Sequence, residues 1–244
     1  MRWPACFVAG AWIISAFSPS GAGELYDAVI AGDVEAVKTM IASGVSASDT
    51  GALGTALHAA VVRGDLSAAT VLIGAGADLE AASDTGARPI HEAASYGELP
   101  IATLLIAKGA NVNARTATGT TPLHAATFGR HAALVKLLLD NGAEINAVDI
   151  RGDTALHAAL NNRQRDLALI LLERGASPTA RGRYGMTPLH WAAATGMTEL
   201  VSILVSKGAR LEERDEGGQT PMAMARDANE RQAEDLLRKL GAKQ

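Results

Sequence analysis

Five histidines, His58, His91, His124, His157 and His190, follow one another at intervals of 33 residues. Eighteen residues beyond each stands a glycine: Gly76, Gly109, Gly142, Gly175 and Gly208. Two residues beyond each stands an alanine: Ala60, Ala93, Ala126, Ala159 and Ala192. One further period reaches Ala225 and Gly241, with Ala223 in the histidine's place. A recurrence of this length, in phase at several positions, means a stack of supersecondary units. None of them can bury its apolar face alone. Composition narrows the choice of unit. The chain is 48% apolar but only 4% aromatic, so its core is built from Leu, Ala, Val and Ile. That suits closely packed helices better than a sandwich or barrel.

The physics of one unit is clearest in Gly119–Ala147, GTTPLHAATFGRHAALVKLLLDNGAEINA. Thr121 has the side chain of an N-cap, and Pro122 fits the first helical position, where its missing N–H costs nothing. The spacing predicts a short helix with Leu123 and Ala126 inward. A turn near Gly129 follows, then a second helix with Leu134, Leu137 and Leu138 on one face. Gly142 ends it as a left-handed residue, and Ala143–Ala147 is expected to run extended to the next hairpin. Gly86, Gly119, Gly152, Gly185 and Gly218, each five residues before the histidine position, suit hairpin turns with positive φ.

The sequences TPLHAA at Thr121–Ala126, TALHAA at Thr154–Ala159 and TPLHWAA at Thr187–Ala193 resemble those of the ankyrin repeat family, as do the Leu-Leu…Gly-Ala endings. The resemblance implies an all-α solenoid of stacked helix-turn-helix units with connecting β-hairpin loops. It spans residues 23–244 in seven units, starting near Glu24, Gly51, Asp84, Ala117, Asp149, Gly182 and Asp215. The end units depart from the pattern, as caps do. The first has LYDAVIAGD at Leu25–Asp33 and the last a run of charged residues after Pro221.

Residues 1–22 read as an export signal. Arg2 supplies a positive start, Pro4–Phe17 is uncharged and mostly apolar, and small residues from Ser18 lead to a cut expected between Ala22 and Gly23. The apolar stretch is short of the roughly 18 residues of a spanning helix. Cys6 lies too early for lipid attachment at the cut, and an uncleaved anchor is the remaining alternative. Cys6 is the sole cysteine, so cleavage would leave no thiol for a disulfide, a zinc site or a nucleophile. The expected location is periplasmic or secreted, with no membrane attachment after cleavage. The lack of an Asn-x-Ser/Thr sequon favours a bacterial source.

The chain offers no enzyme constellation. Helices stacked roughly 8–10 Å apart cannot bring successive histidines to one metal, and the family resemblance assigns each to supporting its Thr-Pro-Leu-His turn. His131, outside the series, is expected at a helix start on the surface. His91–Ser95 (HEAAS) lacks the second histidine of a zinc-protease motif, and Gly74–Asp78 (GAGAD) is the ordinary unit ending. No catalytic residue, metal or cofactor is expected. The net charge of −4 argues against nucleic acid.

What differs between units is then informative. The resemblance places variable positions on the hairpin tips and the exposed side of the first helix, together the concave face. Arg63, Tyr96, Phe128, Asn161 and Asn162 come from the helices, and Arg151, Arg183 and Tyr184 from hairpin tips, with Asp153 and Met186 beside them. Exposed aromatics and arginines are enriched at binding hot spots. Arg130 and Arg163, where a glycine usually joins the two helices, form a separate basic stripe, and Trp191 is expected to pack at a helix edge. The expectation is a monomeric protein-binding module, exported to the periplasm. Its alternatives are a secreted effector that meets a host protein and a cytosolic or membrane-anchored regulator with an unprocessed N-terminus.

Overall fold

The computed structural model describes residues 23–52 and 54–243, so the export segment 1–22 lies outside the described residues. Seven helix pairs follow in order: α1 (Glu24–Ala31) and α2 (Val34–Ala42), α3 (Ala56–Val62) and α4 (Leu66–Gly74), α5 (Pro89–Tyr96) and α6 (Leu99–Ala107), α7 (Pro122–Phe128) and α8 (Ala132–Asp140), α9 (Ala155–Asn161) and α10 (Arg165–Glu173), α11 (Pro188–Ala194) and α12 (Thr198–Ser206), α13 (Pro221–Asp227) and α14 (Arg231–Lys239). The first helices pack on one another in one row and the second helices in another. Among the described residues no helix is long and apolar enough to cross a membrane.

The histidines tie each unit to the next. Thr55, Thr121 and Thr154 cap α3, α7 and α9, their side chains accepting from the N–H of the histidine three residues on. The backbone N–H of Thr121 donates back to His124 Nδ1, and that of Thr154 to His157 Nδ1. Nδ1 is therefore the acceptor, and Nε2 carries the proton. Nε2 of His58, His124 and His190 donates at 3.0–3.2 Å to the carbonyls of Ala87, Asp153 and Gln219, each in the next unit's hairpin. His91 reaches Thr120 in the same way, and His157 donates to Ala180 on the connection just before the next hairpin. In the third unit Arg88 replaces threonine and offers no capping hydroxyl. Burial holds all five imidazoles below their ordinary value of 6.5.

The turns between paired helices need a left-handed residue. Gly32, Gly64, Gly97 and Gly196 supply it, whereas Arg130 adopts φ 66° and Arg163 φ 54°. Each arginine carries a cost of roughly 1–2 kcal/mol for that conformation. The glycines serve a second end, because the next unit's side chain folds back over them. A Cβ at Gly64 would meet Glu98 at 2.8 Å, and one at Gly97 would meet the ring of His131 at 2.7 Å. His131 is accordingly the N-cap residue of α8, half-buried, with Nε2 on the carbonyl of Ser95 at 3.0 Å.

One loop expectation is corrected. Ala143–Ala147 does not run extended: Ala143 N–H bonds back to Leu138 O, and Ala147 N–H closes a turn on Glu144 O at 3.0 Å. The chain must reverse there to reach the hairpin, and Asn113 of the preceding unit fixes the bend by accepting from Glu144 N–H. The connecting hairpins form, with little regular strand. Among the described residues one strand pair forms, β1 (Thr50–Gly51) with β2 (Gly54–Thr55), antiparallel with Thr50 opposite Thr55. Later hairpins are closed by two main-chain bonds each, such as Thr116 N–H to Thr120 O with Gly119 N–H to Thr116 O, and Asp149 N–H to Asp153 O with Gly152 N–H to Asp149 O. The turn glycines do have positive φ, 71° at Gly119 and 84° at Gly152.

The core is one continuous aliphatic layer between the two rows, including Leu105, Leu134, Leu138 and Leu171. Two tests follow from this architecture. Leu138 is fully buried, so Leu138→Ala should lower unfolding stability by about 2–5 kcal/mol in urea titration. The histidines' lowered pKa values mean that the unfolded chain binds more protons than the folded one. Their contribution is intact above the ordinary value of 6.5 and is lost as pH falls through the lower folded values. Urea midpoints measured from pH 7 to pH 4 should fall steadily, and less steeply in a His124→Gln variant.

Candidate functional site

The hairpins and the first helices share one face of the solenoid. On it, large apolar side chains stand in water: Tyr96 is 57% exposed, Phe128 52%, Ile150 70% and Tyr184 65%. Tyr96 ends α5 and Phe128 ends α7, and these are adjacent helices in the first row. Ile150 and Tyr184 are hairpin-tip residues, and the tips are laced together. Ile150 N–H donates to Thr118 O at 3.0 Å, and Glu216 N–H donates to Tyr184 O at 2.8 Å.

The remaining candidates divide by position. Arg151 is an exposed tip residue. Asn161 and Asn162 close α9 and are half-buried, and the carbonyl of Asn162 accepts from Arg130 Nη2 at 3.3 Å. Arg63 follows α3, but its guanidinium lies against Gly32, 2.8 Å from where a Cβ would stand. That puts it on the row of inter-helix turns with Arg130 and Arg163. Arg183 is engaged within its own unit and the one before. Its guanidinium sits 4.9 Å over the Trp191 ring, and its Nε lies 3.0 Å from Asp153 Oδ2. Its backbone N–H also donates to Asp153 Oδ1. Asp153 is thus not a solvated tip residue: it is buried, because this one carboxylate orders the following hairpin. Trp191 is half-buried at the helix edge, as expected.

One feature of this face was not singled out from the sequence. A groove of about 350 Å³ opens between the third and fourth units, flanked by Glu92, Ser95 and Tyr96 of α5 and by Thr116, Thr118 and Thr120 of the next hairpin, with Ala125 across it. The threonine hydroxyls form a chain at 3.0 and 3.1 Å. Glu92 Oε2 is fully buried there and has no hydrogen-bond partner. Burial, with no charged group opposing it, pushes the Glu92 carboxyl up to about 8. The signal was available in the repeat. The residue after the histidine position is Ala59, Ala125 and Ala158 in neighbouring units and Trp191 and Met224 further on; it is acidic only here and at the exposed Asp27 of the first unit.

Among the described residues no group of three or more His, Cys, Asp or Glu side chains could hold a metal. Both ring nitrogens of the five histidines are already committed. What the face offers is recognition: exposed rings, hydroxyls, and one carboxyl poised to ionise. The raised carboxyl has a measurable consequence. Its folded value lies above its ordinary value of 4.5, so its contribution is complete below 4.5 and is lost as pH rises through about 8. Thermal melts should show the protein losing stability from pH 6 to pH 9, and Glu92→Gln should remove most of that loss.

Comparison with known proteins agrees with this architecture. The family model described as ankyrin repeats (3 copies) matches residues 25–116, 113–182 and 179–244. Comparison with curated protein sequences gives no match. Among solved structures, the crystal structure of the ankyrin repeat domain of Bcl-3, a member of the IkappaB protein family, aligns with a TM-score of 0.78 and 31% identity, over 88% of this chain and 97% of that one. Ankyrin repeats are generally protein–protein interaction modules and typically non-enzymatic scaffolds. With matches running almost unbroken from the first helix pair to the last, the chain belongs to the ankyrin repeat family.

Proposed function

We propose that this protein binds a partner polypeptide laid across its hairpin tips and first helices, and that it does so outside the cytoplasm, in the periplasm or after secretion. The observation that carries the binding surface is the run of exposed Tyr96, Phe128, Ile150 and Tyr184 along one face of a scaffold whose other large apolar side chains are mostly buried. Rings held at helix ends and tight turns have little entropy left to lose, so they make efficient anchors. Export rests on the sequence of residues 1–22 alone.

Affinity purification from the native organism, with wild-type and variant baits, tests the surface. Tyr96→Ala with Phe128→Ala should leave the melting temperature nearly unchanged, since both side chains face solvent, yet weaken partner binding by about 2 kcal/mol or more. If Arg130→Ala or Arg163→Ala abolishes capture instead, the binding surface is the row of inter-helix turns. N-terminal sequencing of the native protein tests export: a start at Gly23 is expected, and a start at Met1 rejects it.

A further inference from the structure

We propose that the groove between the third and fourth units receives a lysine side chain of the partner, its ammonium held by the Glu92 carboxylate beside the ring of Tyr96. The inference rests on the proposed binding face and supplies the chemistry of its occupant.

Three observations carry it. The first is the unsatisfied carboxyl. Glu92 Oε2 is buried in the wall of an open groove with no hydrogen-bond partner, and a buried acceptor left unpaired is costly. The groups around it cannot supply a cation. Within α5, His91 is neutral and committed to Ala114 O and Thr120 O, and Arg88 is turned away, its Nε 3.0 Å from Glu80 and its Nη1 on the carbonyl of Arg115. On the elements packed against α5, α3 carries His58 and α7 carries His124, both donating into hairpins, and α6 itself carries no charge. Arg63, Glu98 and Lys108 sit at helix ends, and none of these charges acts on Glu92.

The second observation is the groove's donor and acceptor balance. Ser95, Thr116, Thr118 and Thr120 present hydroxyl oxygens, and the Tyr96 ring lies one helical turn beyond Glu92 on the same face. An ammonium has three donors and no acceptor, and a four-carbon stem that can lie along an aromatic ring. Arginine's planar fork asks for a two-oxygen partner, whereas an ammonium can share its three donors between one carboxylate oxygen and neighbouring hydroxyls.

The third observation comes from the repeat itself. In the sixth unit the residue at Glu92's register is Trp191, and a cation from the same unit's hairpin tip, Arg183, already covers it at 4.9 Å. The tip position that carries Arg183 there carries Asp84 in the third unit. The sixth unit thus covers this register with a cation from its own hairpin tip, where the third unit carries none. Binding of an external ammonium would draw the proton off Glu92 and release it to solvent.

Selection of a random linear peptide library on the full-length protein, and in parallel on Glu92→Gln, tests this. Glutamine has the size of the protonated carboxyl and does not ionise, so the variant should fold with a melting temperature at or above that of the wild type near neutral pH. Peptides recovered on the wild type should be enriched in lysine relative to those recovered on Glu92→Gln. For a recovered peptide, exchange of the lysine for norleucine should weaken binding roughly thirtyfold on the wild type and hardly at all on the variant. Wild-type affinity should rise by up to about tenfold per pH unit below pH 8 and level off above it, and Glu92→Gln should show no such slope. Equal lysine content in the two pools, or equal loss on both proteins, overturns the proposal. If Tyr96→Ala with Phe128→Ala then abolishes peptide binding while Glu92→Gln leaves it intact, the binding face stands and only the lysine receptor falls. If neither variant alters binding, both fall.

Discussion

The five inner units lean on one link, complete in all but the third: threonine cap, histidine, and a carbonyl at or just before the next hairpin. A helix of seven residues is too short to persist alone in water, since nucleation consumes most of what so few hydrogen bonds return. The cap satisfies orphan N–H groups at the helix start, and the histidine extends that local bond into a contact with the neighbouring unit. Because Nδ1 accepts at the helix start and Nε2 donates toward the next hairpin, the imidazole works only when neutral. Burial supplies that condition. Helix initiation and unit stacking are therefore one event, not two.

The same link explains what could be read in advance. The 33-residue phase carried the histidines, the positive-φ glycines and the buried face of α8 with Leu138, because each is set by contacts that recur in every unit. Arg130 and Arg163 were legible for the same reason: the phase placed them where the backbone turns left-handed. Features that depend on a non-repeating neighbour were not legible. Asp153 looked like a tip residue until the Arg183 hairpin was seen closing over it. The bend at Glu144–Ala147 depends on Asn113 of the preceding unit, so local extension was the wrong expectation. Glu92 was passed over because a carboxylate on a short helix reads as solvated; its burial comes from the hairpin of the following unit.

The two faces of the solenoid also differ in kind. On the row of inter-helix turns, side chains of one unit lie over glycines of another: Glu98 over Gly64, His131 over Gly97 and Glu230 over Gly196. Most of that row is spoken for by the protein's own packing. On the hairpin side the third and fourth units leave rings, hydroxyls and an unpaired carboxyl open to solvent. The sixth unit shows how the chain behaves when such a cradle is filled from within, with Arg183 lodged between Asp153 and Trp191.

One consequence follows from the way units touch mainly their neighbours. A gain or loss of 33 residues inserts or removes a whole layer without asking any other layer to repack. The Glu92 groove and the Arg183–Trp191 tip are three layers apart, and their separation can change only in whole steps of one layer. The solenoid therefore measures its partner with a ruler of fixed graduations: descendants of this chain can shift the length of polypeptide they grip by a layer at a time, while each contact point keeps its chemistry.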